Sequence, residues 1–151
     1  MKIVKFFLAS LILLSFACSS DDDSTTNSLI DGDLLIGTWQ LTASVSNGEI
    51  IELDECDLQN TLEFTETGAL NATVNNSSVT IDGSLICQAS LTLTLDYTLQ
   101  GNLLTIQTGT DANIGTIVTL TETTLILEFS YEETDGTDTV LVTDRETYER
   151  R

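Results

Sequence analysis

Carboxylates are the reactive groups this chain carries in quantity: 24 Asp and Glu stand against five Lys and Arg and no His in 151 residues. Lysine occurs only at Lys2 and Lys5. A serine or thiol nucleophile therefore has no ordinary base beside it, and a transferring phosphoryl group has no cationic clamp. Two acids could serve glycoside hydrolysis if held about 5 to 9.5 Å apart with one of them protonated. Hard oxygen ligands could instead hold calcium. Asp54, Glu55 and Asp57 form one acidic group, and Glu132, Glu133, Asp135 and Asp138 form another. Neither has the spacing of an EF-hand, and most of the acids fall at turns or on wet strand faces. They are read as solvated surface, with calcium in these loops as the alternative. No enzyme, metal or cofactor is expected.

The other reactive side chains are Cys18, Cys56 and Cys87. Cys18 ends a segment with a basic start (Lys2, Lys5), an apolar run from Phe6 to Ala17, and a small residue before the cysteine. The run is too short for a bilayer span, which needs roughly 20 residues, and the pattern is that of an export signal. Leu14-Ser15-Phe16-Ala17-Cys18 resembles the lipobox of bacterial lipoproteins. The resemblance implies cleavage before Cys18 and a membrane anchor through its acylated thiol. Residues 1–17 are then a signal peptide and 18–33 an acidic, polar tether. Ser19 to Asp23 resembles the acidic tags of surface-exported lipoproteins in Bacteroidetes-type bacteria, which implies an outer-membrane protein of the cell envelope exposed on the surface. A plain solvated tether is the alternative.

With Lys2 and Lys5 in the leader, Arg145, Arg150 and Arg151 face all 24 acids, a net charge of −21. So few cations cannot neutralise a phosphate backbone, which excludes nucleic acid, and they offer anionic headgroups no docking surface. The acidity reads as solubility on an exported surface. In that oxidising setting Cys56 and Cys87 are left as an even pair, read as a disulfide. Two buried free thiols or half a metal site are the alternatives, and zinc would lack further Cys or His ligands.

From Ile36 onward the dominant period is two, with Thr as the commonest polar filler, as in pleated half-buried strands. Trp39, Leu41, Ala43 and Val45 alternate with polar residues. So do Leu91, Leu93, Leu95, Tyr97 and Leu99, and again Leu125, Leu127, Phe129 and Tyr131. Asn47-Gly48, Thr67-Gly68, Asp82-Gly83, Gly101-Asn102 and Asp135-Gly136 supply tight turns between them. The fold class is all-β: one antiparallel up-and-down barrel of about eight strands over 34–151, with a sandwich as the alternative. No segment keeps a 3.6-residue period, so no helix of useful length is expected.

Gly37-Thr38-Trp39 at the first strand, Cys56 and Cys87, the stretch Tyr97 to Ile106, and the closing Thr147-Tyr148-Glu149-Arg150 together resemble the lipocalin-like domains of Bacteroidetes lipoproteins. The resemblance implies a barrel open at one end, with Trp39 plugging the other beneath an arginine of the last strand, either Arg145 or Arg150. Leu93, Leu95, Tyr97, Leu127 and Phe129 would line a cup for a small apolar ligand. The family's Thr-Asp-Tyr motif is absent, and an eight-stranded barrel can also be filled by its own side chains. The expected function is therefore binding or sequestering a small apolar ligand. The alternative is a filled interaction module whose acidic loops meet an envelope protein, a glycan or calcium.

Overall fold

The computed structural model describes residues 30–88 and 91–151. Cys18, the signal peptide and the tether as far as residue 29 lie outside them. The elements are α1 (Gly32–Leu35), β1 (Gly37–Ser46), β2 (Glu49–Ile51), a 3-10 turn (Asp57–Gln59), β3 (Thr61–Phe64), β4 (Ala69–Val74), β5 (Ser77–Val79), β6 (Leu85–Cys87), β7 (Leu91–Gln100), β8 (Leu103–Thr108), β9 (Asp111–Leu120), β10 (Thr124–Asp135) and β11 (Asp138–Arg150). The helical turn α1 falls partly inside the stretch read as tether. Asp31 caps it by accepting the Asp33 amide at 3.1 Å, and Leu35 is fully buried.

Eight strands pair antiparallel in the order β1, β3, β4, β7, β8, β9, β10, β11, and β11 returns to pair with β1. The sheet is thus a closed up-and-down barrel, and closure removes the sheet edges that long Thr-rich strands would otherwise expose. Two elements stand outside the ring. β2 pairs with the far half of β1, and β5–β6 is a separate hairpin. Asn47 and Gly48 both have positive φ, at 51° and 83°, as the tight turn between β1 and β2 requires. Cys56 and Cys87 form a disulfide with Cα atoms 5.3 Å apart, tying the loop after β2 to the end of β6. Closing about 30 residues stabilises such a fold by a few kcal/mol.

The alternation expected along β1 fails after Leu41. The pairing with β11 shifts between Leu41 and Ala43, leaving Ala43 exposed and placing Ser44 opposite Glu146 and Ser46 opposite Asp144. β1 changes neighbour here: Gly37 to Gln40 pair with β3, whereas Ser44 to Ser46 pair with β2. The extra residue of a bulge bends the strand between these partners and reverses the face of everything beyond it. Serines, not Val45, therefore take the inner side.

The core occupies one half of the barrel. Leu35, Trp39, Phe64, Leu70, Leu104, Leu125 and Leu127 are at most 1% exposed. Other residues of the same inner face are exposed toward the other end: Val74 is 39%, Leu93 42%, Tyr131 48% and Leu91 55% exposed, while Val142, across from Tyr131, stays buried. Between the halves the Phe129 ring lies over Gly115, where an added Cβ would come within 2.5 Å of Cε1.

Candidate functional site

The closed end is built from the two strand termini that meet at the seam. Trp39 and Arg150 are cross-strand partners, and the Arg150 guanidinium carbon lies 4.1 Å from the centre of the Trp39 ring. Its Nη1 donates to the Ile36 carbonyl at 2.8 Å, its Nη2 donates to the Leu34 carbonyl, and its Nε donates to Glu122 O at 2.7 Å. The Trp39 indole N–H donates to Leu35 O at 2.8 Å. The carbonyl groups at the end of α1 thus find donors, which a single helical turn cannot supply from within. Gly37 has φ of 134°, and a side chain there would also collide with the Arg150 guanidinium. Glycine two residues before the tryptophan is required on both counts.

The sequence left Arg145 and Arg150 as equal partners for Trp39, and strand alternation separates them. Arg150 shares the inner face of β11 with Tyr148. Arg145 points outward, donating to Glu128 Oε2 from Nε at 3.0 Å, and takes no part in the stack. An exposed pair of this kind contributes little to stability.

Toward the other end the inner face of the barrel is amphipathic. One wall is apolar: Val74 faces Leu91, Ala72 faces Leu93 and Leu70 faces Leu95 across β4 and β7. The opposite wall, at the β1–β11 seam, carries Glu146 and Asp144 with Ser44 and Ser46 across from them. Tyr148 donates its hydroxyl to Glu146 Oε2 at 2.6 Å, and Tyr131 donates to Asp144 Oδ2 at 2.9 Å. Burial raises the Tyr148 hydroxyl well above its usual 10.0, and the neighbouring Glu146 charge and hydrogen bond add to the shift. Tyr131 is raised mainly by its hydrogen bond to Asp144. Both remain protonated donors at neutral pH.

Of the residues expected to line the cup, Leu93 stands at the mouth and Leu95 and Phe129 are half-buried below it. Leu127 and Tyr97 form the floor. Leu127 is fully buried, while Tyr97 packs edge-on against Phe64 with ring centres 5.0 Å apart and donates its hydroxyl to Thr65 O at 3.0 Å. The polar wall was missed because polar residues were assigned outward. Counting back by twos from Tyr148 would have found it, since Glu146, Asp144 and Val142 follow on the same face.

The acidic loop at Asp54 is a capped turn. Asp54 Oδ1 accepts the amides of Cys56 at 2.7 Å and Asp57 at 2.9 Å, and Asp57 Oδ2 accepts the Asp54 amide at 3.0 Å. Hydrogen bonds from Ser77 and these amides hold the Asp54 carboxyl below its usual range. Among the described residues no three His, Cys, Asp or Glu side chains converge on a metal position. A surface depression of about 640 Å³ beside Gly32, Asp33, Ile36 and Glu66 lies beyond the strand ends at the closed end, away from the cup.

A family model described as a lipocalin-like domain matches residues 35–127. Among solved structures, the bovine odorant-binding protein complexed with its natural ligand is 15% identical, covering 80% of this chain and 74% of that chain with a TM-score of 0.45. A deswapped triple mutant of the bovine odorant-binding protein is 17% identical over 78% of this chain and 74% of that one, with a TM-score of 0.43. Its complex with undecanal gives 17% identity, 78% and 71% coverage and a TM-score of 0.43. Comparison with curated protein sequences finds no match.

Two outcomes follow from this geometry. Arg150→Met removes the cation–π contact and strands the Leu34 and Ile36 carbonyls, and is expected to lower stability by about 2 to 4 kcal/mol in urea unfolding followed by Trp39 fluorescence. Arg150→Lys should recover only part of that, because an ammonium cannot span both carbonyls while lying flat on the indole. For Tyr148, the folded chain keeps a proton that the unfolded chain releases near pH 10. Stability should therefore hold below about pH 10 and fall above it, and Tyr148→Phe should flatten that slope. Urea midpoints measured from about pH 8 to about pH 11 check both statements.

Proposed function

This chain belongs to the lipocalin-like domain family, and on that premise we propose that it is a lipid-anchored envelope protein whose barrel binds a small ligand with an apolar body. The carrying observation is the gradient of exposure along the inner face. The same faces that are sealed around Trp39 present Val74, Leu91, Leu93 and Tyr131 to solvent at the other end. Apolar side chains converging inward yet left wet are what an unfilled binding cup offers, and concave apolar sites with a few polar groups are the usual form of small-molecule sites. A non-catalytic role is supported by the want of His and Lys among the described residues, which leaves the cup without an ordinary nucleophile–base pair. Attachment through Cys18 and an outer-membrane location are supported by the lipobox-like sequence.

One observation favours a second reading, an interaction module. The stapled β5–β6 hairpin at the mouth exposes Val79, Ile81 and Ile86 to solvent, an apolar ridge of the kind that marks contact surfaces.

Native mass spectrometry of the protein from its own host, with organic extraction, tests the ligand reading. A stoichiometric small passenger is expected. An empty protein that also refuses fluorescent apolar probes would sink it and leave the hairpin as the functional surface. For the anchor, Cys18→Ala is expected to move the chain from the membrane to the soluble fraction, and an unchanged distribution would rule out attachment through that thiol.

A further inference from the structure

Charge on the inner wall of the cup is unbalanced. Asp144 and Glu146 stand two residues apart on the inward face of β11, each receiving one tyrosine hydroxyl. Asp144 Oδ1 is sealed from solvent and has no hydrogen-bond partner, the sole such side-chain atom among the described residues. An acceptor withdrawn from water without a partner is costly, and more so when it carries charge.

The described chain has no cation left to meet it. It contains neither Lys nor His. Arg145 is paired with Glu128 on the outer face, and Arg150 is held at the closed end by Trp39 and the carbonyls of Leu34 and Ile36. Arg151 follows it there, its amide bonded to Thr38 O at 2.9 Å. The bulge at Leu41–Ala43 adds Ser46 and Ser44 across from the two acids, hydroxyls that can either donate or accept. A metal ion is a poor fit, since no third acidic ligand converges there among the described residues. A carboxylate or phosphate head would meet two like charges.

We propose that the cup takes a cationic amphiphile, with a protonated amine seated between Asp144 and Glu146 and an apolar body laid against the β4–β7 wall. This rests on the cup reading above. An ammonium offers three donors, which suits the free acceptor positions of the two carboxylates and a serine oxygen; contact with the sealed Oδ1 requires the Asp144 side chain to turn toward the cup. Val74, Leu91 and Leu93 on the far wall give the apolar body its surface. Each tyrosine hydroxyl donates to one oxygen of its carboxylate, leaving the other oxygens of Asp144 and Glu146 as acceptors toward the ligand.

Three probes with one tail decide it: dodecylamine, dodecanol and dodecanoate, each titrated against a fluorescent apolar probe bound to the full chain. The amine is expected to bind at least about tenfold more tightly than the alcohol, with the carboxylate weakest. Asp144→Asn and Glu146→Gln, which keep size and hydrogen-bonding capacity, are expected to bring the amine-to-alcohol ratio down toward one. Amine and alcohol binding alike would overturn the inference while leaving the cup in place, whereas failure of all three probes would overturn both. A ratio unchanged in both variants would place the amine elsewhere and overturn the assigned site. The wild-type comparison needs no variant, so a variant that misfolds cannot leave the outcome open.

Discussion

The contact between Arg150 and Trp39 fixes one end of the seam that closes the barrel. The first and last strands of the ring must meet at a seam, and the seam is the pairing with the greatest sequence separation in the fold, from Trp39 opposite Arg150 to Ser46 opposite Asp144. Loop-closure entropy opposes such a pairing, and something at its end must repay it. The guanidinium does so three ways at once: it lies on the indole, satisfies two carbonyls at the end of α1, and reaches Glu122 O in the β9–β10 turn. Every element of the closed end is therefore referred to one planar cation. Gly37 is glycine because that cation occupies the space where a side chain would stand.

Sealing one end concentrates apolar burial there and leaves the other end free. Leu35, Phe64, Leu70, Leu104 and Leu125 complete the core around Trp39. What the mouth needs is a fixed rim. The disulfide supplies part of it by tying the Cys56 loop to β6, and the reciprocal capping of Asp54 and Asp57 holds that loop's turn. The bulge in β1 supplies another part, turning the strand away from β3 toward β2 while bringing serines to the inner face. A stable floor and a stapled rim let the inner wall between them carry groups that a solid core would reject, Asp144 and Glu146 among them.

Much of this was legible in the residues. The two-residue period of β7 and β10 and the Asn47-Gly48 turn each follow from local chemistry and together specify an antiparallel barrel, and the pairing of Cys56 with Cys87 follows from the cysteine count. The family likeness in Gly37, Trp39 and the last strand located the closed end, although it left the choice of arginine open. That choice was itself available from alternation, because Arg150 and Tyr148 share a face and Arg145 does not. The five residues expected to line a cup differ in depth: Leu127 is fully buried and Tyr97 packs against the core, whereas Leu93 is exposed. Sequence alternation gives the side of the sheet a residue faces and carries no information on its depth along the barrel axis.

The sequence by itself determined the class of structure, since strand period and turn chemistry act over a few residues and need no distant partner. Tertiary structure alone decided the chemistry of the cup. Whether Ser44 or Val45 faces inward depends on a bulge, and the bulge exists because β1 must pair with β3 at one end and with β2 at the other. Whether Asp144 lies in water or against a wall depends on the neighbours that closure brings to it: Ser46 from β1, nearly a hundred residues away in sequence, and Phe129 and Tyr131 from β10. A carboxylate's environment is a property of what surrounds it, and in this chain those surroundings are assembled only when the last strand returns to the first.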